Sequence, residues 1–170
     1  AEGRGIYRTH DGGSTWTECS GSGAMTRCYD ILAVDAQVVL VGGNDGLKRS
    51  SDGGATFSPV LLGGNSGGAV WSLQRFPGGD LVCSREGSPF AGPASIWFST
   101  DRGASWSQAT LDASVQSIGC GRISLGTSSS DSLAWGVAQQ LNPDPHPYNW
   151  PLAQGLLKTA DRGRSWTFVV

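Results

Sequence analysis

The sequence predicts an all-β protein, on three observations. Glycine is abundant, 26 of 170 residues, and much Ser and Thr accompanies it, the material of tight turns. No long stretch repeats its apolar residues with the 3.6 period of a helix. One hairpin-like stretch, GIYRTHDGGSTW at 5–16, recurs as GLKRSSDGGATF at 46–57, IWFSTDRGASW at 96–106 and LLKTADRGRSW at 156–166.

Aligned on Asp11, Asp52, Asp101 and Asp161, the copies agree at six positions. Five places before the Asp stand Ile6, Leu47, Ile96 and Leu156, and two before it Thr9, Ser50, Ser99 and Thr159. Two places after it stand Gly13, Gly54, Gly103 and Gly163, and four after it Thr15, Thr56, Ser105 and Ser165. The fifth place after it holds Trp16, Phe57, Trp106 or Trp166. The aliphatic and aromatic residues fall on two strands joined by a short turn, so both can point into one apolar layer. The glycine permits a positive φ, and the Asp and Ser/Thr side chains can bond turn backbone that lacks a ladder partner. Each copy therefore reads as a hairpin tied by its Asp and plugged by its aromatic residue. His10 holds a slot filled elsewhere by Ser51, Thr100 and Ala160, so it carries no common role.

The pattern S/T-x-D-x-G-x-T/S-W/F resembles the Asp-box, or bacterial neuraminidase repeat, and all four copies match it. That superfamily includes sialidases, xyloglucan-type endoglucanases and sortilin-like receptors. The resemblance implies a β-propeller of four-stranded antiparallel blades, with the box turning between the third and fourth strands. It implies a fold and leaves function open. Successive aspartates lie 41, 49 and 60 residues apart, close to the roughly 40–50 residues of blade-type repeats.

Strands between the boxes fit that plan. CYDILAV, QVVLVGG, GLKRS and ATFSPV make one blade, at about 27–60. AVWSLQRF, LVCSRE, IWFST and SWSQAT make the next, at 68–110, and VQSIGCGRI, SLAWGVAQQ, GLLKT and SWTFVV the last, at 114–170. Residues 1–19 supply only an outer half-blade. About three and a half blades fall short of the 4–8 of a closed ring. The expectation is a partial propeller, a fragment or a ring completed by other propeller chains within a larger assembly.

Composition narrows the partners. The net charge is −2, only Lys48 and Lys158 are lysines, and no basic run exists, which argues against nucleic acid. No apolar run approaches the ~20 residues of a membrane helix, so membrane insertion is not expected. The chain opens at Ala1 with no visible signal peptide, and reads as a processed or excerpted product. Cys19, Cys28, Cys83 and Cys120 lack C-x-x-C or His-linked spacing, so no metal is expected, nor any cofactor. Cys19 and Cys28 flank one loop, and two readings stand: a disulfide in an oxidising compartment, or buried thiols. Cys83 and Cys120 read as buried thiols.

Boxes crowd one face of a propeller, and ligand sites are expected on the opposite loop face near the axis. GNDG at 43–46 reads there as a simple turn. REGSPFAGPA at 85–94 presents Arg85, Glu86 and Phe90. The longest loop, LNPDPHPYNWPLAQG at 141–155, is stiffened by four prolines and offers Tyr148 and Trp150 as stacking faces, with His146, Asn149 and Asp144 as polar anchors. The same loop could instead pack on its own blade or on a neighbouring subunit. Trp71, Trp97 and Trp135 lie inside strands and read as core or blade-to-blade filling.

A sialidase would need three converging arginines, a Tyr–Glu nucleophile pair and an acid/base Asp. Arg75, Arg85, Arg122 and Tyr148 exist, but nothing in the sequence gathers them, and Arg122-Ile123-Ser124 lacks the proline of the sialidase segment. Hydrolysis by paired acids needs two carboxylates about 5–9.5 Å apart, and Glu86 with Asp144 is the one pair to nominate. The reading is a non-catalytic binding or structural module of an extracellular, cell or virion surface, recognising glycan or protein. The alternative is a fragment of a glycoside hydrolase.

Overall fold

A computed structural model describes residues 5–23, 25–65, 67–87, 93–114, 120–140 and 153–169. Among them, short runs of β-formers between glycine turns give four sheets. The first is a two-stranded ribbon of β1 (Tyr7–Arg8) and β2 (Thr17–Glu18). The second sheet holds β3 (Cys28–Ala33), β4 (Val39–Gly43), β5 (Gly46–Ser50) and β6 (Ser58–Val60) in sequential antiparallel order. The third holds β7 (Val70–Arg75), β8 (Leu81–Arg85), β9 (Ser95–Ser99) and β10 (Ser107–Gln108). From there β11 (Thr110–Leu111) crosses to the last sheet, of β12 (Cys120–Thr127), β13 (Ala134–Gln140), β14 (Ala153–Thr159) and β15 (Ser165–Phe168).

The stretch SWSQAT, read as one outer strand, divides. Ser107–Gln108 stay with β9, whereas Thr110–Leu111 pair in parallel with β15. The Thr110 amide donates to the Arg164 carbonyl at 2.9 Å and the Asp112 amide to the Trp166 carbonyl at 3.0 Å. Ser20 repeats the crossing, bridging in parallel to Thr56 while accepting the Phe57 amide at 2.8 Å. An outermost strand has a free edge, and the departing chain satisfies it.

All four Asp turns share one hydrogen-bond scheme. The hydroxyl two places before the Asp donates to its Oδ1 at 2.7–2.8 Å and accepts the amide two places after it at 2.8–3.0 Å. The Ser/Thr four places on donates its amide to Oδ1 at 2.9–3.0 Å and its hydroxyl to Oδ2 at 2.5–2.7 Å. Trp16, Trp106 and Trp166 each donate Nε1–H to the turn glycine's carbonyl at 3.0–3.1 Å. These bonds to the ionised form hold the carboxyls of Asp11 and Asp52 well below the ordinary value of 3.8. At Asp101 and Asp161 burial pulls the other way, yet the hydroxyls and amides of Ser105 and Ser165 outweigh it and the value still falls.

The residue directly after the Asp also adopts positive φ in every copy: Gly12 at 70°, Gly53 at 67°, and Arg102 and Arg162 at 61°. A non-glycine residue there costs about 1–2 kcal/mol. The two arginines use that geometry to reach neighbouring turns. Arg102 pairs with Asp35 of the preceding sheet, while Arg162 pairs with Asp131 of its own sheet and lies 3.8 Å from Asp80 of the preceding one.

The aliphatic and aromatic residues of one hairpin do not share a layer. Ile6 and Cys19 cluster with Phe57 of the next sheet, Leu47 and Val60 with Trp97 and Trp106, and Ile96 and Ala109 with Leu157 and Trp166. Counted from the Asp, positions −5 and +8 face the following sheet, and positions −4 and +5 face the preceding one. Successive pleats point to opposite sides, so one hairpin supplies half of two interfaces. This corrects the single-layer expectation. It also corrects Trp16 as a core plug: Trp16 is 60% exposed, whereas Trp166 is 1% exposed. Among the described residues Trp16 meets no −5/+8 face of a preceding copy, whereas Trp106 and Trp166 each do.

Trp166→Ala should cost about 3–5 kcal/mol in urea unfolding, whereas Trp16→Ala should cost about 1 kcal/mol or less. Acid should test the turns separately. Because the aspartates' folded values are depressed, their contribution is complete above the unfolded value of about 3.9 and is lost as pH falls below it. Melting temperature should drop with acidification below about pH 4. Asp161→Asn should lower it at neutral pH and flatten that drop.

Candidate functional site

The innermost strands β3, β7 and β12 begin at the end opposite the Asp turns. Each carries an irregularity there: the ladder skips Tyr29 in β3, Trp71 in β7 and Gly121 in β12. A bulge re-aims its side chain. Tyr29 and Trp71 stack across two sheets, with ring centroids 3.7 Å apart and planes inclined by 13°. The Arg122 guanidinium lies 3.8 Å from the Trp71 ring centroid, and its Nε donates to Glu86 Oε1 at 3.0 Å. Glu86 is itself fixed by its amide, which donates to the Ala69 carbonyl at 2.7 Å. The result is a column, Tyr29–Trp71–Arg122–Glu86, spanning the inner edges of three sheets.

Its interior holds an uncompensated group. Trp71 Nε1 is buried and has no hydrogen-bond partner among the described residues. An unmet buried donor costs about 1–3 kcal/mol. Beside Tyr29 opens a cleft of about 410 Å³, lined by Ile6, Tyr7, Cys28, Asp30, Ile31 and Val41. Asp30 does not offer its carboxylate freely: Oδ1 accepts the Ile31 amide at 2.8 Å and Oδ2 the Leu73 amide at 2.7 Å, tying two sheets together. A larger groove of about 670 Å³ runs on the Asp-turn side past Arg49, Thr56 and Trp106. The hydroxyls of Thr56 and Ser105 that line it are already bonded to Asp52 and Asp101, which leaves less there for a ligand.

Arg85 and Glu86 are neighbours in sequence and part in space. Arg85, half-buried, lies against Gly68, where a Cβ would come within 2.5 Å of its Nε, and lines a separate 220 Å³ pocket with Ser95, Trp97 and Gln108. Glu86 joins the column. Phe90, Asp144, His146, Tyr148, Asn149 and Trp150 lie outside the described residues, so the Glu86–Asp144 pair has no geometry here. GNDG is a two-residue turn: Asn44 accepts the Arg27 amide on Oδ1 at 2.8 Å and donates its own amide to the Arg27 carbonyl at 3.0 Å.

Cys19 and Cys28 are free thiols, which removes the disulfide reading. Cys19 is buried in the first inter-sheet cluster, and the exposed Cys28 points its Sγ to Met25 Sδ at 3.2 Å. Burial pushes the Cys83 thiol far up, as befits a core residue. Among the described residues no three His, Cys, Asp or Glu side chains gather to hold a metal. No described helix is long and apolar enough to cross a membrane.

Trp97 is buried between two sheets, and Trp135 lies half-buried on the outer side of the last sheet with Lys158 Nζ 5.4 Å from its centroid. Sequence reasoning treated Trp71 as filling and overlooked Tyr29 and the contact with Arg122. A signal was present, an aromatic beside the first residue of two inner strands in CYDIL and VWSLQ, but the bulges that bring them together leave no mark on sequence spacing.

No family model matches the chain. A xyloglucanase of Paenibacillus sp is 27% identical over 166 residues, covering 96% of this chain and 15% of that protein. Among solved structures, an ancestral GH74 enzyme superposes with a TM-score of 0.74 at 16% identity, covering 98% of this chain and 21% of that one. The GH74 xyloglucanase from Xanthomonas campestris gives 0.65 at 16% identity, covering 98% and 27%. The chain thus spans a quarter or less of most of these relatives, and its fold is that of a partial β-propeller.

The column makes its own prediction. Arg122→Lys keeps the charge but loses the flat guanidinium on Trp71, and should destabilise by about 1 kcal/mol in urea unfolding. An unchanged midpoint would mean that the stack contributes nothing.

Proposed function

We propose that this chain is a non-catalytic Asp-box propeller module that binds a glycan on the face opposite the Asp turns. The observation that carries the reading is the Tyr29–Trp71–Arg122–Glu86 column beside an apolar-floored cleft. A pyranose ring presents an apolar face to an aromatic and hydroxyls to fixed polar groups, and Tyr29 at the cleft wall suits the first role. Arg85, Phe90, His146, Tyr148, Asn149 and Trp150 are the further contacts proposed from the loops. The similarity to xyloglucanases supports a polysaccharide as the ligand class, and with it a secreted or surface location. Protein recognition through the same face is the competing form of this reading.

The glycoside hydrolase alternative rests on that same similarity. Against it stands the state of Glu86, whose carboxylate is engaged by Arg122 rather than presented to a cleft. The four turn aspartates are saturated by hydroxyls and amides, so they are no candidates for acid/base work.

Titration of the chain with xyloglucan oligosaccharides, followed by calorimetry, tests the proposal. Saturable binding that Tyr29→Ala weakens at least tenfold, with Trp150→Ala weakening it further, is the expected result. No heat with any β-glucan would overturn it. Cleavage of a fluorogenic β-glucoside or sialoside that is lost in Glu86→Gln or Asp144→Asn would establish the hydrolase instead.

A further inference from the structure

Where the chain leaves one sheet for the next, it covers the edge it passes. Ser20, at position +9 from Asp11, donates its amide to the Ala55 carbonyl at 3.0 Å and accepts the Phe57 amide at 2.8 Å. Thr110, at +9 from Asp101, donates its amide to the Arg164 carbonyl at 2.9 Å, and the Asp112 amide goes on to the Trp166 carbonyl at 3.0 Å. Both crossings run parallel to the strand they cover. Each satisfies outward main chain at positions +3 and +5 of the next Asp turn.

The middle joint departs from this. Leu61 holds position +9 from Asp52, yet it makes no crossing and is 57% exposed. The chain turns at once: the Leu62 amide donates to the Asn65 carbonyl at 2.9 Å, and the Asn65 amide returns to the Leu62 carbonyl at 3.3 Å. Packing accounts for the departure. Leu62 is buried with Trp97, and Gly63 lies so close to that ring that a Cβ would come within 2.7 Å of it. The outermost strand of the third sheet is left uncovered, and no main-chain group of the described residues bonds the Ala104 carbonyl or the Trp106 amide and carbonyl. This edge lies between two sheets that the chain itself supplies, so its state does not depend on where the chain starts or stops.

The groove of about 670 Å³ opens along that edge, with Thr56, Ser58 and Leu61 on one wall and Ala104, Ser105 and Trp106 on the other. Nothing blunts the edge: Ser105, Trp106, Ser107 and Gln108 include no charge and no proline, the residues that keep free edges from pairing. The second sheet carries Pro59 where the third has Gln108. Because the groove's Thr56 and Ser105 hydroxyls are spent on the Asp turns, its main chain is what remains to bind. At the Asp-turn end stands the half-buried Arg49, whose Nε donates to the Arg102 carbonyl at 3.2 Å. It pairs with no carboxylate among the described residues.

We propose that this edge docks an extended peptide segment of a partner protein, added as a parallel strand where the chain's own crossing is missing. The two filled edges describe the occupant. A Ser or Thr in the place of Ser20 and Thr110 donates its amide to the Ala104 carbonyl and accepts the Trp106 amide. The amide two residues on meets the Trp106 carbonyl, as that of Asp112 meets Trp166. A strand parallel to Ser107–Gln108 enters from the Asp-turn end, so an acidic residue ahead of the Ser or Thr meets Arg49. This inference is independent of the glycan reading, which uses the opposite end of the sheets and survives if docking fails.

The probe is the capped peptide Gln108–Asp112 of this chain carrying Gln108→Glu, which sets an acid ahead of its threonine. Titrated into the isotope-labelled chain, it should shift the Trp106 amide resonance saturably. Methylating the nitrogen of the peptide's threonine removes the donor to Ala104 without touching a side chain, and should weaken binding at least tenfold. Arg49→Ala should weaken the Glu peptide several-fold and leave the Gln peptide unchanged. If that variant fails to fold by far-UV circular dichroism, the wild type's preference for the Glu over the Gln peptide carries the same reading. No saturable shift at millimolar peptide would overturn the proposal. So would equal binding of the methylated peptide, or shifts that spare Ala104 to Gln108.

Discussion

The structure depends on one constraint: each hairpin faces two ways. The pleat sends Ile96 to the following sheet and Trp106 to the preceding one, so no hairpin buries its own apolar residues. A lone copy would leave an aliphatic face and an aromatic face in water. Stacking solves both at once, and it fixes direction, because a −5/+8 face fits a −4/+5 face and not its like. The parallel crossings at Ser20 and Thr110 follow the same direction, carrying the chain out of one sheet and onto the edge of the next.

The Asp turns hold this geometry in place. Their aspartates accept on both oxygens from hydroxyls and amides of their own turn, and the tryptophan Nε1–H bonds fasten the plug to its glycine. A carboxylate so saturated is a tie rather than a reagent. With one end of the stack so occupied, the less satisfied polar groups lie at the other end. There the inner strands bulge, and an indole donor is left without a partner among the described residues. Rigid turns at one end and a less satisfied rim at the other are the division of labour expected when a site is mounted on a scaffold.

Much of this was legible in the sequence. Position-by-position agreement around Asp11, Asp52, Asp101 and Asp161 gave away the turns, the hairpins and the propeller class, because short-range hydrogen bonding demands particular residues at particular offsets. What lay beyond reach was set by contacts between sheets. The exposure of Trp16 depends on what precedes it in the stack, and its residue type cannot report that. The positive φ of Arg102 and Arg162 was masked because arginine, unlike Gly12 and Gly53, gives no warning of it. The column was missed because Tyr29, Trp71 and Arg122 sit more than forty residues apart along the chain and meet only through ladder irregularities.

A double-mutant cycle on the third and fourth repeats tests the two-faced hairpin most directly. Ile96 and Trp106 belong to the same hairpin, whereas Ile96 and Trp166 belong to successive ones. The account predicts that Ile96→Ala and Trp166→Ala couple by about 0.5–3 kcal/mol, while Ile96→Ala and Trp106→Ala add independently. Coupling within the hairpin, with additivity across the sheets, would contradict it.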